Sequence, residues 1–132
     1  MKAVYFPYKT YKGDFYPIIK IQLKGPSGVL ITEAYVDSGA SISIFSIGIA
    51  SDLGIDYKKG KTRHTMVGDG NFMAFYVFTL PVKLGPFSFR AKIGFSPNLK
   101  AGINLIGQKD FFDRFVVTFN KRKRFVSFKP SR

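Results

Sequence analysis

The sequence predicts an all-β domain of antiparallel hairpins with one or two short helices. Three observations carry that expectation. Apolar runs are short and alternate with polar residues, as Ile19, Ile21 and Leu23 do with Lys20, Gln22 and Lys24. Thirteen glycines and seven prolines punctuate those runs and mark turns. A chain of 132 residues suits one core and leaves no room for two.

The elements follow in order. Residues 1–14 are polar and tyrosine-rich and read as a peripheral segment. Phe15 to Lys24 reads as a strand, Gly25-Pro26-Ser27-Gly28 as a turn, and Val29 to Val36 as the returning strand. A short helix is expected near 45–53, ended by Gly54. Asp56 to Arg63 reads as a basic connection. Two apolar arms then enclose Gly68-Asp69-Gly70-Asn71, the composition of a tight hairpin turn. Phe75 to Leu84 and Phe87 to Phe95 are strands around Gly85-Pro86. Asn104 to Gly107 is a short apolar strand that stops on glycine. Gln108 to Phe115 is expected to make one or two helical turns, with Phe111, Phe112 and Phe115 on the inner face. Val116 to Phe119 and Arg124 to Phe128 form a last hairpin, so 116–132 is a basic hairpin and tail on a single domain.

Composition narrows the chemistry. Cysteine is absent, which removes disulfides, thiolate catalysis and cysteine-based metal sites. Charge, glycine or proline interrupts every apolar stretch well before the ~20 residues of a membrane-spanning helix. No signal peptide is evident, which points to the cytoplasm without fixing the compartment. The lone His64 sits beside Arg63, and the glycine turns lack the Lys-Ser/Thr ending of a phosphate loop. No metal and no cofactor is expected. The net charge is +13, most concentrated at Lys121-Arg122-Lys123-Arg124, a candidate contact for a polyanion.

The candidate catalytic residue is Asp37, at the exit of the strand Ile31 to Val36 and followed by Ser38-Gly39-Ala40. Gly39 lets main-chain donors crowd the carboxylate. Ser38 offers a hydroxyl to fix the loop, and Ala40 keeps bulk out of a cleft. Two adjacent carboxylates that share one proton can hydrolyse a peptide bond: one acts as base on a water, the other donates to the carbonyl. No other acidic residue lies in a second strand–Asp–Ser/Thr–Gly arrangement. A twofold dimer that joins two copies of Asp37 is the economical source of the second carboxylate.

Three stretches together resemble the retroviral-type, or retropepsin-like, aspartic proteases. Ala34-Tyr35-Val36-Asp37-Ser38-Gly39-Ala40-Ser41 is similar to the family's active-site motif. Asn104-Leu105-Ile106-Gly107-Gln108 is similar to its late apolar–apolar–Gly motif. Val67, Gly68, Asp69, Gly70 and Asn71 fall where the family places its flap hairpin. The resemblance implies a closed or partly open barrel and a homodimeric endopeptidase acting on extended peptides. In it, Asp37 is the catalytic carboxylate and Ser38 bonds across the dimer axis. Gly39 presents its carbonyl to substrate, Ile106 and Gly107 pack beneath the loop, and residues 68–70 close over the peptide.

The chain is closer to cellular or prokaryotic members than to viral ones. Viral members carry two acidic residues after the triplet and an arginine after the late glycine; here those places hold Ser41, Ile42 and Gln108. The bracing salt bridge is therefore expected to be absent. Asp69 at the flap tip would place negative charge near the cleft or its dimer mate. Two other readings compete: a non-catalytic dimeric binding module of the same fold, and a basic β-barrel that binds nucleic acid.

Overall fold

The structure, a computed structural model, describes residues 2–66, 72–99 and 103–131. It opens with β1 (Val4–Pro7) and a small hairpin of β2 (Lys9–Tyr11) and β3 (Asp14–Tyr16). Lys12 and Gly13 link β2 to β3 with φ of 49° and 83°, the two-residue turn that matches strand twist. Pro17 has no N–H to donate, and the ribbon expected from Phe15 breaks there. β4 (Ile18–Gly25) and β5 (Gly28–Val36) then form the predicted hairpin, paired Ile18↔Tyr35 through Gly25↔Gly28.

β6 (Ser43–Ser46) leads into α1 (Ile47–Asp52), which stops at Leu53 before Gly54 at φ 76°. The helix starts later than expected because Phe45 is held in a strand. The basic connection is also shorter than expected: one 3-10 turn at Tyr57–Lys59 gives way to β7 (Lys61–Met66), which pairs with β8 (Phe72–Leu84). β9 (Phe87–Ser96), β10 (Leu105–Ile106), β11 (Phe115–Asn120) and β12 (Phe125–Pro130) complete the chain.

The expected helix at 108–115 is corrected. A single wide turn closes from the Asp113 N–H to the Gln108 carbonyl (3.2 Å). Inside it, Lys109 (φ −60°, ψ 124°) and Asp110 (φ 66°, ψ −1°) have type II turn geometry. The Asp110 carboxylate fixes that geometry by accepting from the Lys92 N–H of β9 at 2.8 Å. Phe111 and Phe115 are both buried, but Phe115 belongs to β11 and not to a shared helical face.

Seven strands form one sheet in the order β4-β5-β10-β6-β9-β8-β7, and a further β4–β8 pairing closes six of them into a ring. Its interior is filled by Ile19, Ile21, Leu23, Ala34, Val36, Phe45, Ile93, Phe95 and Ile106. A separate three-stranded sheet, β1-β12-β11, covers one side. Phenylalanines join the two layers: Phe115 meets Phe87, Phe89 and Phe128 at centroid distances of 5.3, 5.5 and 5.9 Å. Edge and tilted ring packing of this kind engages several of the 15 phenylalanines. Val4 and Phe6, within the segment expected to be peripheral, pack against the core.

Candidate active site

β5 and β6 are not neighbours in the ring. The two-residue β10 inserts between them, parallel to β5 (Leu105↔Tyr35, Ile106↔Val36) and antiparallel to β6 (Leu105↔Ile44). The loop joining β5 to β6 is residues 37–42, so the inserted strand lies directly behind it. Asp37 donates its N–H to the Ile106 carbonyl (2.9 Å), and Ala40 donates to the Asp37 carbonyl (3.2 Å). The Gly39 N–H donates to Asp37 Oδ1 at 2.9 Å, which orients the carboxylate. A Cβ on Gly39 would lie 3.3 Å from that oxygen, so glycine keeps this approach open. Asp37 and Ala40 are half-buried; Ser38 and Gly39 are exposed at the rim.

Gly107 is the closest joint. It is buried, and its N–H donates to the buried Ser43 hydroxyl at 2.9 Å. A Cβ there would come within 2.6 Å of the Ile42 backbone and 2.7 Å of the Ala40 carbonyl. Gln108, a departure from the viral pattern in sequence, clamps the loop: its N–H donates to the Ala40 carbonyl (2.8 Å) and its Nε2 to the Ser38 carbonyl (2.7 Å). Asn104, which the sequence reading did not single out, ties the strands together. Its side chain donates to the Glu33 carbonyl (2.9 Å) and accepts from the Ser46 N–H (3.0 Å). The signal missed was a buried asparagine just before an apolar pair, where both amide ends need partners.

A model of the family described as aspartyl protease matches residues 20–108, which run from β4 to the Gln108 clamp. The chain belongs to the aspartyl protease family. Among solved structures, it is similar to a retropepsin-like aspartic protease from Rickettsia conorii. That match has 21% identity and a TM-score of 0.68, and it covers 96% of this chain and 98% of the other. The fold is retropepsin-like. A search of curated proteins finds no match.

In this aspartyl protease, the structure brings Asp37, Ser38, Gly39, Ala40, Ile106 and Gly107 together in one constellation. Val67, Gly68, Asp69, Gly70 and Asn71, expected to form the flap, lie outside the described residues. Their arms are described and pair as far as Met66↔Phe72. Met73 and Phe75 on β8 pack with Ile44 into a small apolar cluster, against which Ile42, Val77 and Leu99 are half-buried. The apolar cluster thus begins at Ile42, within the loop that carries Asp37. Arg124 of the basic tip is engaged within the chain, its guanidinium 3.7 Å from the Phe15 ring centroid. Among the described residues no group of His, Asp or Glu is placed to hold a metal, and no helix is long and apolar enough to cross a membrane.

Proposed function

We propose that this aspartyl protease is a homodimeric endopeptidase, with Asp37 of each subunit sharing one active site. The observation that carries the reading is the single Asp-Ser-Gly loop backed by an inserted strand. One such loop supplies one carboxylate, and the reaction needs two. In a twofold dimer the two Asp37 carboxylates share a proton because like charges at that distance cannot both ionise. The ionised member takes a proton from a water; the protonated member donates to the scissile carbonyl, and a tetrahedral intermediate results. The exposed Ser38 at the rim supports a hydrogen bond to the partner's loop. The family resemblance assigns residues 67–71 the role of a flap over the peptide, which excludes water.

The substrate class is an extended polypeptide with apolar side chains beside the cleaved bond. Ile42 and Leu99, half-buried on the Ile44–Met73–Phe75 cluster, support that preference, as does Phe72, 66% exposed on the flap arm.

The test is peptide-library cleavage across acid to neutral pH. Asp37→Asn abolishes turnover while the circular dichroism spectrum and Tm stay those of wild type. A statine-type transition-state mimic inhibits the native protein. A shared proton gives a bell-shaped dependence of rate on pH. Cleavage that persists in Asp37→Asn sinks the reading.

A further inference from the structure

The outward face of the ring beside the β4–β5 turn combines charge with bare aliphatic surface, and the proteolytic site uses neither. The registers align Ile31, Gln22, Lys83 and Ser88 in one row across β5, β4, β8 and β9. Adjacent rows set Val29 beside Lys24, Glu33 beside Lys20, Pro81 beside Arg90 and Thr79 beside Lys92. The alternate residues of these strands, Leu23, Val82 and Ala91 among them, are in the core, so this set points outward.

Lys20, Lys24, Lys83, Arg90 and Lys92 are all exposed. The four strands contain a single carboxylate, Glu33, and Lys9 already pairs with it. At the β9 end, Asp110 faces Arg114 and the Lys92 backbone. Within this basic field Ile31 is 63% exposed and Val29 56%.

We infer that this face binds an anionic membrane surface, with Lys20, Lys24 and Lys83 on the adjacent strands β4 and β8 against lipid phosphates and Val29 and Ile31 entering the head-group layer. The local excess of lysine, with Glu33 already paired to Lys9, selects an anionic partner and disfavours the same face of a second copy. The two aliphatic side chains select lipid over nucleic acid. A nucleic-acid surface rewards exposed aromatics by base stacking, and the outward positions of these rows carry none. A membrane rewards aliphatic insertion beside lysine. The geometry leaves the protease site free: at about 3.3 Å per residue along β5, Val29 lies roughly 25 Å from Asp37.

Vesicle co-sedimentation of the full chain tests this, with phosphatidylcholine alone and with added phosphatidylserine. Binding should require phosphatidylserine and weaken as salt rises. Lys20→Glu/Lys24→Glu/Lys83→Glu should lower the partition coefficient by at least about 100-fold, taking roughly 5-fold for each lost cation. Should that variant fail to fold, the milder Lys24→Gln/Lys83→Gln should lower it about 25-fold. Val29→Ser/Ile31→Ser should weaken binding several-fold at unchanged charge. The charge-matched control Lys121→Glu/Arg122→Glu/Lys123→Glu should lose far less. Equal loss in that control assigns the effect to bulk charge and overturns the proposal. So do equal binding to neutral vesicles, no binding at all, or an unaffected Val29/Ile31 variant whose vesicle binding is displaced by RNA.

Discussion

At Gly107 the absence of a side chain is what lets the inserted strand reach the acidic loop. Gly107→Ala forces a methyl into the Ile42 and Ala40 backbone, which cannot swing aside as a flexible side chain would. Overpacking of this kind costs about 3 kcal/mol, and the strain falls on the loop that holds Asp37. Denaturant unfolding should show a stability loss of that size, with turnover lost as well. Gln108→Ala is milder. It removes one neutral hydrogen bond to the Ser38 carbonyl, worth about 1 kcal/mol. Loosening the loop should lower kcat more than it raises KM, and steady-state kinetics on a peptide substrate would separate the two. A rise in KM alone, with kcat unchanged, would mean that the clamp does not position the loop. Asp37 and Gly107 were legible in sequence because their motifs are local and chemically narrow. The Gln108 clamp was not, because its partner lies seventy residues upstream and no periodicity encodes it.

Among the elements, β10 holds the site with only two residues, so side chains at its ends supplement its backbone bonds. Asn104→Ala removes both amide contacts, to β5 and to the start of α1, and leaves the Glu33 carbonyl and the Ser46 N–H without those partners. The expected cost is about 2 kcal/mol, readable by thermal unfolding. Hydrogen exchange should also speed at Tyr35 and Asp37, whose amides bond the Asn104 and Ile106 carbonyls. Unchanged exchange there would show that β10 is held by its backbone alone. Strand alternation made β4, β5, β8, β9 and the last hairpin visible in advance. The segment after Gly107 misled because its phenylalanine spacing of three and four residues mixes a turn with the first residue of a strand. A hydrophobic pattern cannot report the positive φ of Asp110.

For the whole molecule, the arrangement of the terminal sheet bears on assembly. β12 is flanked on both sides by strands of its own chain, β1 and β11. It is therefore closed to a partner's strands, and the dimer proposed above must form through other surfaces while carrying +13 on each subunit. Specific activity should fall on dilution as dimers separate, and moderate salt should restore it by screening repulsion between subunits. Initial rates over a concentration and salt series, paired with mass measurement, check this. A constant specific activity from a monomeric species would remove the shared site. Neither the three-stranded sheet nor the β4–β8 closure could be read from sequence, since both depend on which distant edges meet.

The inserted strand also imposes an order in time. A growing chain presents residues 37–42 long before residues 104–108 exist. Until those later residues are made, Asp37 has no floor, the Ser38 and Ala40 carbonyls lack the Gln108 donors, and the gap between β5 and β6 stays empty. The loop proposed to cut the peptide therefore lacks its backing until residues 104–108 are made, and those residues complete it.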